Sequence, residues 1–265
     1  MTVTYREPSS AATTTPIRME AAADMPSRWR ITTPGIDPTR VRVEHLHAVV
    51  SGWFDTDTTH HTQAKPYTVS PPTRQTDAPG FEVTLLDDTL TNRLLTRAAP
   101  GVRLRLGAQH THLTLGAEQL ATTAWTHLAD SDSGANAWCL RFVTPTTFRR
   151  GNAFTPWPAP NPVLGSLRAT WRRFAPPDLP EITLDLSTDP IWVTDVDGTN
   201  EILRINNLTV SGFVGRIRYT CDNPDIRAAV DRLIRLAPYA GIGAHTTRGL
   251  GQVRPEPTWR QPGRP

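Results

Sequence analysis

Lysine is almost missing from this chain. Of its 28 Lys and Arg residues, Lys65 alone is lysine. Cysteine is nearly as scarce: Cys139 and Cys221 stand far apart, with no CxxC spacing. That argues against a disulfide framework and against a cysteine-based zinc site. Both lie in apolar, strand-like stretches and read as buried, reduced thiols. No apolar run of about 18 residues occurs, so no membrane-spanning helix and no membrane partner are expected. The N-terminus lacks the basic-then-apolar pattern of a secretion signal, so the cytoplasm is the expected compartment.

What is present suffices for a sizeable core. The 265 residues are 38% hydrophobic and include eight tryptophans, which suits one large domain or two small ones. The net charge of +3 suits a polyanionic partner without requiring one. Arginines bunch at Arg149-Arg150, Arg172-Arg173, Arg216-Arg218 and Arg248-Arg254. Residues 1–25, rich in Ser, Thr, Ala and Pro, read as a disordered tail, with Met1 and Met25 both candidate starts; residues 257–265 read as a second tail.

Between the tails the same order of elements appears twice. Arg28–Thr33 alternates as a strand. Asp37 and Pro38 then open a helix carrying Leu46, Val49, Val50 and Trp53 at helical spacing. Tyr67–Ser70 and Phe81–Leu85 read as strands, Asp88 caps a short helix with Leu90 and Leu94, and Val102–Gly107 reads as the fourth strand. Thr111–Gly134 is a connector. Ala137–Thr144 starts the second round, followed by a helix capped by Asn161 with Leu164, Leu167, Trp171 and Phe174 on one face. Two short strands, Ile191–Thr194 and Ile202–Ile205, are expected about an Asp197-Gly198 hairpin turn. Leu208–Cys221 is a long strand with a bulge near Gly212, Asn223 caps a last helix, and Gly251–Pro257 closes the sheet. The expected fold class is α+β: two tandem ferredoxin-like βαββαβ domains, over 26–134 and 135–256. Such sheets often bind RNA, although a fold does not by itself define a function.

Two stretches carry chemistry. In "YAGIGAHTTRGLGQVR" (Tyr239–Arg254), Gly241, Gly243, Gly249 and Gly251 frame His245, Thr246, Thr247 and Arg248. Glycines beside an Arg and hydroxyls can cradle a phosphate, and the alternative is a simple helix-to-strand turn. The loop is neither a Walker A motif, since GK[ST] is absent, nor a dinucleotide fingerprint, since it follows a helix. In "HHTQAKPYTVS" (His60–Ser70), two histidines precede the lone lysine. Elsewhere, His110 and His112 share one face of a strand and read as surface, with no metal called for. Asp195–Glu201 echoes a calcium loop but lacks its full spacing.

The glycine-rich loop, with "GFVGRIRYTC" before it, resembles the C-terminal signature of the CRISPR-associated endoribonucleases that cut precursor CRISPR RNA within its repeats (CRISPR-associated protein 6, of the RAMP superfamily). The His60–Pro71 and Thr144–Asn152 stretches are similar to that family too. The resemblance runs from about Arg28 to Arg254. It implies two ferredoxin-like domains and cleavage without a metal or other cofactor. The 2′-hydroxyl attacks the adjacent phosphate and leaves a 2′,3′-cyclic phosphate and a 5′-hydroxyl. By the same resemblance, His60 or His61 is general base or acid, as an imidazole of pKa about 6.5 allows, and Lys65 stabilises the phosphate. The family places a Tyr on the first helix; here Ser51 or His47 would substitute. The RNA backbone would be held by Gly241, Gly243, His245, Thr246, Arg248, Gly249 and Gly251, with Arg149, Arg150, Arg172 and Arg173. The partner implied is CRISPR repeat RNA or its precursor; other effector subunits and a homodimer stay open. The rival reading is a catalytically inactive RAMP-type RNA-binding subunit of an effector complex.

Overall fold

A computed structural model describes residues 25–56, 64–71, 79–130, 134–205 and 207–257. His60, His61 and nearly all of both expected tails lie outside the described residues.

The first half runs β1 (Ser27–Thr32), α1 (Val43–Phe54), β2 (Tyr67–Ser70), β3 (Gly80–Leu85), α2 (Thr91–Arg97), β4 (Arg103–Leu106), β5 (Gln109–His112) and β6 (Glu118–Thr122). Trp29 and Ile31 alternate with half-exposed neighbours along β1 and join Val83 and Leu85 of β3 and Leu46 and Val50 of α1 in one apolar cluster. That period-two pattern on strands and 3.6-period pattern on α1 is what lets a helix cover one sheet face. The sheet order is β2-β3-β1-β6.

The second half runs α3 (Trp125–Ala129), β7 (Ala137–Thr146), β8 (Phe148–Arg150), β9 (Ala153–Thr155), α4 (Pro160–Phe174), β10 (Ile191–Ile205), β11 (Leu208–Cys221), α5 (Pro224–Ala240) and β12 (Val253–Glu256). Its sheet order, β10-β11-β7-β12, repeats that of the first. In each sheet the first and third strands of a βαββαβ unit are central, so both halves are ferredoxin-like. Asn223 caps α5 as expected, its side chain accepting from Asp225 N–H at 3.0 Å.

Besides α1, which starts at Val43 after a separate 3-10 turn (Pro38–Arg40) that takes the Asp37 cap, four local expectations change. The fourth strand of the first sheet is Glu118–Thr122, from within the connector. Arg103–Leu106 instead forms a local hairpin with Gln109–His112 across Gly107 (φ 67°), its Leu104 and Leu106 still buried. Its alternation is a true strand signal, but alternation does not say which strand it pairs with. Secondly, no turn interrupts β10 at Asp197-Gly198. Gly198 faces Gly215 inside a continuous ladder, and a Cβ on Gly215 would lie 2.3 Å from Asp197 O. The Asp-Gly pair marks close backbone approach there, and the hairpin closes between Ile205 and Leu208. Thirdly, Asp87 rather than Asp88 caps the turn before α2, accepting from Thr89 N–H at 2.9 Å. Finally, α4 begins at Pro160, one residue before the expected cap. The bulge expected near Gly212 is present, as a register shift between Phe213 and Gly215 opposite β7.

Polar contacts tie the two sheets together. Gln252, 1% exposed, donates from Nε2 to Thr68 Oγ1 (2.9 Å) and Val69 O (3.2 Å). Thr84 Oγ1 donates to Tyr239 O at 2.6 Å, and Arg254 Nη2 meets Glu82 Oε2 at 2.5 Å. The segment after α5 is thereby fixed against β2 and β3, where the site lies.

Candidate nucleic-acid interface and active site

The glycine-rich loop is packed mainly against its own protein. A Cβ on Gly251 would sit 2.1 Å from Ile242 O, and one on Gly243 would sit 2.4 Å from Thr147 O; both residues have positive φ. Most of the loop's amides are already used. Ile242 N–H donates to Gly251 O, Gly243 N–H to Ser166 Oγ, Ala244 N–H to Thr147 O and Gly251 N–H to Pro145 O, all between 2.8 and 3.1 Å. The amides of His245, Thr246 and Thr247 make no hydrogen bond among the described residues. They stand at the start of a 3-10 turn, Thr246–Arg248. The amides of this loop that have no partner among the described residues are therefore those of His-Thr-Thr rather than those of its tightly packed glycines.

His245 precedes that turn in the left-handed conformation, φ 62°, the sole non-glycine residue there among the described ones. Histidine enters this region more readily than most side chains. Its ring lies 5.4 Å from Phe154, and its Nε2 is buried without a partner among the described residues. Burial, then Arg248 and Arg149, hold its pKa below the usual value.

Helix α1 docks on the same turn. Val43 joins Ile205, Val210 and Leu250 in a small apolar cluster that connects α1, the β10–β11 hairpin and the loop. One turn further along α1, His47 Nδ1 lies 3.0 Å from Thr247 O. A carbonyl only accepts, so Nδ1 carries the proton and Nε2 presents a lone pair. Burial is the main cause lowering the His47 pKa; Arg248 and Lys65 act the same way, while the Thr247 hydrogen bond and Asp55 oppose them. His47 is thus a neutral imidazole of fixed tautomer among Arg248, Lys65 and Asp55. That is the state a general base needs.

Lys65 enters just before β2 and is 9% exposed. Its ammonium pairs with Asp55, the residue that closes α1, and Asp55 Oδ1 also accepts from Tyr67 OH at 2.8 Å. Burial and the Asp55 carboxylate push the Tyr67 hydroxyl far above its ordinary pKa, so it remains a donor. An Asp at a helix C-terminus opposes the macrodipole. That mismatch at the end of "GWFD" is a sequence signal for a partnered carboxylate that the sequence analysis does not use, and Tyr67 likewise emerges only from the structure.

Of the arginines expected at the interface, Arg149 is close enough to His245 to affect its charge, and Arg248 does the same for both His47 and His245. Arg173, at the end of α4, reaches the neighbourhood of Lys65 from 108 positions further along the chain, lining one cavity with it. Arg150 and Arg172 are exposed at the end of β8 and in the last turn of α4. Ser51 is buried, donating to Ala48 O at 3.4 Å, which leaves His47 as the α1 side chain facing the loop. Among the described residues no group of three or more His, Cys, Asp or Glu is placed to hold a metal ion, and no helix is long and apolar enough to cross a membrane.

Two like-ordered ferredoxin-like units, joined through a glycine-rich loop that meets the first helix, define a tandem ferredoxin-like protein. The family model for CRISPR-associated endoribonuclease Cas6 matches residues 140–253, which include that loop. Two curated proteins described as CRISPR-associated endoribonuclease Cas6 are similar. The one from Streptococcus thermophilus is 23% identical over 145 residues, covering 54% of this chain and 58% of its own length. The one from Mycobacterium tuberculosis is 22% identical over 223 residues, covering 80% and 71%. A solved Cas6 product complex superposes with a TM-score of 0.76 at 25% identity, over 88% of this chain and 99% of that one. A Cas6 substrate-mimic complex, 24% identical with a TM-score of 0.74, shares the fold. Residues 140–253 are thus similar to the CRISPR-associated endoribonuclease Cas6 family, and the fold over 88% of the chain is similar to that of a solved Cas6 structure.

Proposed function

We propose that this chain is a metal-independent endoribonuclease that binds CRISPR repeat RNA and cuts the precursor transcript into guides. The observation that carries the reading is the His47–Thr247 hydrogen bond, which holds a neutral imidazole beside Lys65 and Arg248. In the proposed step, His47 Nε2 takes the proton of the 2′-hydroxyl next to the scissile bond. The O2′–P bond forms and the P–O5′ bond breaks, giving a 2′,3′-cyclic phosphate. The leaving 5′ oxygen takes a proton from His60 or His61, outside the described residues. Lys65 and Arg248 balance the charge gathered on the phosphoryl oxygens, and the His245–Thr247 amides hold a neighbouring phosphate. Asp55 keeps Lys65 in place until the phosphate competes for it.

The test is single-turnover cleavage of the cognate repeat RNA in excess EDTA, beside a substrate with one 2′-deoxy at the scissile position. The first is cut and the second is not. His47→Gln slows cutting roughly 10²–10⁴-fold, the usual value of one proton transfer. A metal requirement would overturn the mechanism. Tight binding with no cleavage would make the chain a RAMP-type RNA-binding subunit instead.

A further inference from the structure

Lys65 and Asp55 also line a cavity of about 280 Å³ at the seam between the two halves. Its floor is apolar and largely aromatic, built from Phe54, Tyr67, Leu90 and Phe174; the Phe54 and Tyr67 rings are 5.1 Å apart. Arg93 and Arg173 line it together with Lys65, and Asp55 and Asp87 are the carboxylates of the same lining, which leaves it one positive charge in excess. Arg93 Nη1 donates to Phe54 O at 3.2 Å, which holds that guanidinium across the end of α1.

We propose that this cavity receives one unstacked nucleobase of the RNA strand, next to the bond that is cut. The inference rests on the RNA-cleaving reading above. Its volume lies just under the roughly 300 Å³ at which pockets for drug-sized ligands begin, so it takes one ring system and not two nucleotides. An apolar ligand has no use for three cations, and a free anion has no use for four apolar side chains. A nucleotide unit uses both: its base lies on the aromatic floor, and its flanking phosphates meet guanidinium groups. Lys65 fixes the place, since the residue assigned to the scissile phosphate is also a wall of the cavity. The same geometry gives Arg173 its role, as the charged part of what the second half contributes, with Phe174, to a subsite otherwise built from the first.

The test is the dissociation constant of repeat RNAs that each lack one base near the cleavage site, with intact RNA as reference. For the wild-type protein, one abasic position weakens binding about ten-fold, within the range of base–aromatic stacking. Phe174→Leu keeps apolar bulk but loses the ring face. It binds intact RNA about ten-fold more weakly and the critical abasic RNA as the wild type does. An abasic profile unchanged by Phe174→Leu overturns the subsite, as does a wild-type profile with no sensitive position, even while cleavage of intact RNA continues. Failure of the wild type to bind or cut any intact repeat overturns the RNA reading itself. If Phe174→Leu does not fold, Arg93→Gln serves instead. It should lower the slope of log affinity against log salt by about one, and an unaltered slope counts against the subsite.

Discussion

His47, the proposed general base, also bears on stability. Burial keeps the folded pKa below the ordinary histidine value. The unfolded chain therefore takes up a proton near pH 6.5, where the folded one does not yet bind it. Stability from His47 is full above that pH and is lost as the pH falls through the folded pKa. His245 titrates in the same direction, again chiefly from burial. The melting temperature should drop between pH 7.5 and pH 5, and drop less in His47→Gln; parallel curves for the two proteins would contradict this. Asp55 calls for a different measurement. Its side chain and that of Lys65 are 7% and 9% exposed, so Asp55→Asn removes one charge of a buried ion pair. Asp55→Asn should lose about 3–5 kcal/mol of folding free energy in denaturant titration, and Tyr67→Phe only about 1 kcal/mol. Equal losses from the two changes would mean that the ion pair contributes little.

At the scale of elements, most of the architecture could be read in advance, because each helix and strand carries its own period. β1, α4, α5 and β11 lie close to where alternation and caps placed them, while α1 keeps its expected apolar face but starts at Val43, after the turn that Asp37 caps. What could not be read was pairing. β4 looks like a sheet strand and is one, but its partner is a local hairpin. Asp197-Gly198 looks like a turn and is a ladder pair, because the second glycine that makes it so stands 17 positions further on. The site was legible to a similar degree. The glycine loop, Lys65 and, as one of two candidates on the first helix, His47 could be named as the candidate site from the sequence, while Asp55, Arg93 and Tyr67 became visible only once α1 had been placed. The loop's glycines likewise serve the fold before the ligand, and this has a measurable consequence. Gly251→Ala places a methyl against Ile242 O and should cost well over the roughly 1–2 kcal/mol of a left-handed L-residue. Gly151→Ala, with φ 60° and open space around it, should cost only that penalty. Melting curves of the two variants check the contrast, and a Gly251→Ala protein as stable as Gly151→Ala would contradict the packing.

Across the whole molecule, the positive charge is divided between structure and ligand. Arg216 and Arg218 on β11 face Asp197 and Asp195 at 3.2 and 3.5 Å, and Arg254 is held by Glu82. These arginines neutralise acids on the sheets and add little to an external field. Arg149 beside the glycine loop and Arg173 beside Lys65 are exposed instead, on the two flanks of the proposed cleavage site. A modest net charge of +3 is compatible with a polyanion partner. Counterion release turns that arrangement into a number: each phosphate neutralised on a single strand contributes about −0.7 to the slope of log affinity against log salt. Arg149→Ala and Arg173→Ala should each make the slope for repeat RNA shallower by about one unit, whatever the base sequence. Arg216→Ala should leave it unchanged, since that side chain already has Asp197 and Glu256 as partners. A salt series of dissociation constants for the three variants decides the matter, and an equal change in all three would mean that the RNA path is not confined to the face where the loop, His47 and Lys65 meet.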